Sequence, residues 1–148
     1  MVNKWDKADA NDDEFRNEVK KLVYGSFPHL KFAPLLFISA KTQYRVQQIF
    51  PEIINAFEAR HTEITTNALT RFLKKLIKMH LPSRGKGTNY PKILSLKQIA
   101  SNPPIFEIVV SAKSSLNQSY VQFIKNELRK KFNFYATPIV VKIKKHKK

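Results

Sequence analysis

Apolar residues recur at helical spacing in several stretches of this chain and at strand spacing in others. Asp12-Asp13-Glu14 puts acids where a helix N-terminus favours them, and Phe15, Val19, Leu22, Val23 and Phe27 follow at helical intervals. The spacing predicts a helix over 13–27, stopped by Phe27-Pro28. Leu35-Leu36-Phe37-Ile38 is wholly apolar, as expected of a buried parallel strand. Val46, Ile49, Phe50, Ile53, Ile54 and Phe57 then form a stripe that predicts a second helix over 44–60, kinked or restarted at Pro51. Helix, strand and helix make the tail of an α/β domain, with apolar faces that this chain only partly covers. These elements are expected to lean on the second half, to dimerise, or to be marginally ordered.

His61 to Thr66 is a polar junction, after which Thr66 or Asn67 can cap another helix. In that helix Leu69, Phe72, Leu73, Leu76 and Ile77 face one way, while Arg71, Lys74, Lys75 and Lys78 form a basic ridge on the other. Leu81-Pro82 ends it, and a basic loop, Ser83 to Thr88, carries Arg84 and Lys86. Strands follow at 93–99 and 105–111, joined by the turn chemistry of Ala100-Ser101-Asn102-Pro103-Pro104. A helix over 117–132 is expected to bury Tyr120, Ile124, Leu128 and Phe132 and to point Lys125, Arg129 and Lys130 outward. A last strand over 139–144 runs into a basic tail. The second half therefore reads α-β-β-α-β, a three-stranded sheet with helices on one face.

Charge divides the chain as the elements do. Residues 1–61 hold 9 basic and 8 acidic side chains, whereas 62–148 hold 18 basic and 3 acidic, a net of +15 out of the total +16. Such a field attracts polyanions, and nucleic acid is the expected partner of the second half. There is no cysteine, so disulfides, zinc ribbons and thiol nucleophiles are excluded. No apolar run approaches the ~18 residues of a membrane span, and no membrane partner is expected. A cytoplasmic location is the expectation.

The chemistry concentrates in Asn3-Lys4-Trp5-Asp6 and Phe37-Ile38-Ser39-Ala40-Lys41. A carboxylate's paired oxygens match the two adjacent donors on the Watson–Crick edge of guanine. Adenine offers an acceptor there and leaves the carboxylate unpaired, a loss that separates close analogues by orders of magnitude. Asp6 is thus a candidate guanine reader. Asn3 can offer an amide to the far side of the base or tie neighbouring loops together, and the Lys4 stem can lie against a purine. Trp5 is most simply a packing residue.

N-K-x-D followed by a hydrophobic strand ending in S-A-K resembles the guanine-specificity end of a Ras-like GTPase domain. The resemblance implies guanine-binding roles for Asn3, Lys4, Asp6, Ser39, Ala40 and Lys41, with the Ala40 N–H meeting the guanine carbonyl and Lys41 packing on ribose and base. Further colinear pieces are Ala33-Pro34 to Ala40, Arg45-Val46, Asn102-Pro103-Pro104-Ile105-Phe106, Ser119-Tyr120, and Phe132-Asn133-Phe134 leading to Thr137-Pro138-Ile139. Together they resemble the C-terminal portion of the Der (EngA) GTPases, bacterial ribosome-assembly factors with two GTPase domains and a KH-like domain. The resemblance implies that 1–61 is the C-terminal part of a GTPase domain and 62–148 a basic KH-like domain. It implies GTP or GDP with Mg2+ in the full-length parent, and as partners the large ribosomal subunit and its rRNA and the preceding GTPase domains.

Two departures from the family pattern stand out. Gln43 occupies a position usually held by Gly, so the turn into the second helix is expected to differ. The GXXG loop by which KH modules clamp RNA is also missing, since Arg84-Gly85-Lys86-Gly87 lies before a strand. RNA contact is therefore expected on a basic outer surface, with Arg71, Lys74, Lys75, Lys78, Arg84, Lys86, Lys125, Arg129 and Lys130 as candidates. The alternative is an intramolecular scaffold whose sheet face receives another GTPase domain.

The three glycines Gly25, Gly85 and Gly87 form no phosphate-binding loop, so no catalytic residue is assigned. The chain is expected neither to hydrolyse GTP by itself nor to bind nucleotide tightly. His29, His61, His80 and His146 show no metal-ligand spacing, and no metal site is expected. Glu107 and Glu127 read as ion-pair partners. Tyr90 and Tyr135 are candidates for stacking on bases, with packing the commoner role.

Overall fold

Helix α1 (Asp13–Ser26) begins where Asp12 accepts a hydrogen bond from the Phe15 N–H at 2.8 Å. That side-chain oxygen satisfies one of the backbone donors a helix start leaves open. The computed structural model describes residues 1–8, 12–83 and 90–146. The elements that follow are α2 (Ile49–Arg60), α3 (Thr66–Met79), β1 (Ile93–Ser101), β2 (Pro104–Val110), α4 (Gln118–Phe132) and β3 (Val140–Lys145). The architecture is α+β. Two compact units are present: Met1–Glu58 with Tyr135–Thr137, and Ala59–Phe134 with Pro138–Lys148.

In the first unit the expected strand over 35–38 is one parallel bridge, Val2 to Phe37. Val2 donates to the Leu36 carbonyl and accepts from the Ile38 N–H. With a single residue pair in register, the pairing does not propagate into a strand. The helix expected over 44–60 is a 3-10 turn, Val46–Gln48, followed by α2. Pro51 falls in the first turn of α2, where its missing N–H has no partner to lose, so the helix restarts there. Among the described residues of this unit, Trp5, Phe37 and Ile38 are the buried apolar ones. Phe50, Ile53, Ile54 and Phe57 on α2 stand 55–69% exposed.

The second unit has a real core. Leu69, Leu73 and Leu76 of α3, Leu96 of β1, Phe106, Ile108 and Val110 of β2, and Tyr120, Ile124 and Leu128 of α4 pack with Phe134 and Ile139. Burying each large apolar side chain is worth about 1.5–3 kcal/mol, which is what lets so basic a sequence fold. The cap of α3 is Thr65, one residue before the expected positions, accepting from the Ala68 N–H at 3.4 Å. Val121 joins the buried side of α4, while Phe132, expected to be buried, is half-buried at the helix end. The Tyr120 hydroxyl donates to the His80 carbonyl at 2.7 Å, satisfying backbone past the end of α3, and burial raises its pKa.

The sheet order is β1-β2-β3, with β1 antiparallel and β3 parallel to β2. β1 and β2 reach further into their connection than expected, leaving a turn of Asn102-Pro103. β2 alternates, with Pro104, Phe106, Ile108 and Val110 buried and Ile105, Glu107 and Val109 half-exposed. The helices cover the first row. The second row continues sideways, since Lys97 pairs with Glu107 and Glu107 with Lys142, and Ile105 pairs with Val140. Among the described residues, no helix is long and apolar enough to cross a membrane.

Candidate functional site

In the first unit, two loops meet through side chains of the residues singled out by motif. Trp5 is 5% exposed, with its ring centroid 4.4 Å from Phe37 and 5.6 Å from Phe15. The Trp5 N–H donates to the Ile38 carbonyl at 3.0 Å. Trp5 is thus the pin that fixes its neighbours, and Asn3, Lys4 and Asp6 stay exposed around it.

The Asn3 side-chain oxygen accepts from the Ala40 N–H at 3.1 Å and from the Lys4 N–H at 2.8 Å. Lys4 itself takes a left-handed conformation, φ 63°. Buried Ser39 donates its hydroxyl to Asp6 Oδ1 at 2.5 Å and accepts from the Thr42 N–H at 3.2 Å. The Ser39 hydrogen bond, assisted by the charges of Lys41 and Lys7, holds the Asp6 carboxyl below its ordinary pKa. A donor aimed at a carboxylate favours the ionised form, the one that accepts hydrogen bonds. Lys41 is exposed on the same loop.

The loop closes by an antiparallel bridge, Ser39 N–H to the Tyr44 carbonyl at 3.1 Å. Gln43 takes φ 59° and Arg45 φ 54°, so the turn keeps the left-handed conformation although the residue is not glycine. Tyr44 is anchored by Arg16 of α1, which reaches its hydroxyl at 3.1 Å. Chemically, the arrangement presents an ionised carboxylate, an amide NH2 and two lysines. That set can read a purine edge. Among the described residues, no group of three His, Cys, Asp or Glu side chains is placed to hold a metal ion.

In the second unit, Arg71, Lys74, Lys75 and Lys78 are exposed along α3. Arg84 and Lys86 lie outside the described residues. Lys125 is half-buried, and Lys130 pairs with Glu127 at 2.6 Å. Arg129 departs from its expected outward pose: it is half-buried and donates to the Phe134 carbonyl at 2.6 Å, and burial lowers its pKa. A long side chain on a helix flank can lay its stem on the core, and periodicity alone does not distinguish that from exposure.

Sequence reasoning missed a groove between α3 and α4 of about 480 Å³, lined by Ala68, Arg71, Phe72, Lys75, Leu76, Met79, Glu127, Lys130, Lys131 and Phe132. Its signal was present, because Phe72 and Phe132 each lie next to basic residues, but only the packing of the two helices brings the rings 5.5 Å apart.

Residues 63–144 match a family described as the KH-domain-like, C-terminal region of EngA bacterial GTPase enzymes. The chain is similar to GTPase Der of Thermoanaerobacter sp. (strain X514), 37% identical over 145 residues, covering 98% of this chain and 33% of that protein. It is similar to GTPase Der of Caldicellulosiruptor saccharolyticus, 36% identical over 143 residues, with coverages of 97% and 32%. GTPase Der of Oceanobacillus iheyensis is 35% identical over 139 residues, with coverages of 94% and 31%. The chain spans about a third of the length of these curated relatives.

Proposed function

The chain belongs to the family of KH-domain-like C-terminal regions of EngA bacterial GTPases, and from that premise we propose that it is the C-terminal region of a ribosome-assembly GTPase. Residues 1–61 supply guanine recognition through Asn3, Lys4, Asp6, Ser39, Ala40 and Lys41. Residues 62–148 dock on the rRNA of the large subunit. GTP or GDP, with Mg2+, binds in the full-length parent, where other segments hold the phosphates, and this chain alone does not hydrolyse GTP.

The observation that carries the docking role is the segregation of charge: +15 beyond residue 61, with Arg71, Lys74, Lys75 and Lys78 all exposed on one helix. Clustered cations neutralise phosphates and release counterions, which gives affinity without base readout. The guanine role rests on the bonds Asn3–Ala40 and Ser39–Asp6, which link the two motif loops; the first occupies the Ala40 N–H, which has to leave Asn3 to meet the guanine carbonyl. Asn3 engages its oxygen and leaves its NH2 for the far edge of a base.

The test is a titration of the chain against large-subunit rRNA fragments and unrelated RNA at two salt concentrations. Tight, salt-sensitive binding that prefers the rRNA supports docking; equal weak binding to every RNA, or none, removes it. One observation favours a second reading, an intramolecular scaffold: the sheet face away from the helices carries Ile105, Val109 and Val140 among lysines. Such a face suits a neighbouring GTPase domain of the same protein, and a complex formed in trans with that domain would favour it.

A further inference from the structure

The groove between α3 and α4 has features that phosphate contact alone does not require. Its floor is aromatic, Phe72 meeting Phe132 edge to face at 5.5 Å, and Met79 stands 57% exposed at its mouth. Its volume, about 480 Å³, is that of a small-ligand cleft. Arg71 and Lys75 rim it from α3 and Lys131 from α4, while Glu127 is neutralised by Lys130.

A duplex brings phosphates to such a rim but keeps its bases stacked inward, out of reach of the floor. A peptide of acidic residues alone meets the cations and leaves the rings uncovered. An unpaired strand does both, since a splayed base has a π-face for the aromatic floor and its flanking phosphates reach the rim.

We propose that the α3/α4 groove receives an unpaired base of single-stranded RNA, with the flanking phosphates on Arg71, Lys75 and Lys131. This rests on the RNA-docking reading above and names the form of RNA taken. The preference comes from stacking and so tolerates different bases.

The experiment uses the full chain and fluorescence anisotropy. Its probes are a short labelled RNA strand, the same strand annealed to its complement, the same strand with abasic sugars in place of nucleosides, and a poly-glutamate peptide of matched charge. The base-bearing strand is expected to bind about tenfold tighter than the abasic strand, a typical stacking effect, and tighter than the duplex. Met79→Glu is expected to erase that difference and Met79→Leu to keep it, both changes lying at an exposed position. Equal binding of the abasic and base-bearing strands overturns the proposal and leaves phosphate docking standing. Poly-glutamate binding as tightly as the strand overturns it in favour of a protein partner. No binding by any RNA overturns both readings together.

Discussion

Ser39 donates its hydroxyl to Asp6 Oδ1 at 2.5 Å across thirty-three positions of chain, from a wholly buried residue to an exposed one. The bond lowers the Asp6 pKa from its ordinary 3.8. A depressed carboxyl pKa contributes stability that is fully present above 3.8 and lost as pH falls through the folded-state value. A carboxyl ¹³C NMR titration should place the Asp6 midpoint below 3.8, and Ser39→Ala should move it up. An unchanged midpoint in that variant would show that the hydroxyl does not lower the pKa.

Gln43 holds φ 59°, where a side chain costs roughly 1–2 kcal/mol and glycine does not pay that cost. Gln43→Gly frees the unfolded chain as well, so the net gain expected is about 0.5–1 kcal/mol, read as a higher urea midpoint at constant slope. A loss of stability would mean that the Gln43 side chain makes contacts that outweigh the strain.

Tyr135 donates its hydroxyl to Glu52, and that bond pushes its pKa up from 10.0 to about 12. A group whose folded pKa is raised contributes stability present below 10.0 and lost as pH climbs toward 12. In a tyrosinate absorbance titration, Glu52→Gln should return one tyrosine to an ordinary midpoint, and Tyr135→Phe should remove that same late step.

Phe106 is fully buried between the sheet and its helices, whereas Ile53 is 59% exposed on α2. Phe106→Ala should cost about 3–5 kcal/mol, and Ile53→Ala should stay within about 0.5 kcal/mol. Denaturant melts of both variants separate a packed core from an exposed helical face.

Lys74 and Lys78 are exposed on the basic face of α3. Replacing either by Gln should lower the slope of log affinity against log salt by about 0.7–0.9 if each neutralises one phosphate. Arg129→Gln should leave that slope unchanged and lower stability instead, because its guanidinium is spent on the Phe134 carbonyl.

Much of the fold was legible from local pattern. The buried row of α3 followed from a period of 3.6, because a regular backbone sends side chains to one face at that interval. Asp12 at the start of α1 was legible for an equally local reason, a carboxylate beside unpaired N–H groups. The cap of α3 was misplaced by one residue because Thr65, Thr66 and Asn67 all carry suitable oxygens.

What the sequence by itself determined was the set of elements, the split of charge and the two motif loops with the chemistry of their side chains. Only tertiary structure decided that Ser39 donates to Asp6, that Arg129 turns inward, that 35–38 pairs at one residue, and that two phenylalanines sixty positions apart make one groove. The reason is the same in each case. Local propensity depends on neighbours along the chain, whereas these outcomes depend on which distant backbone arrives to donate a proton, accept one, or close a space.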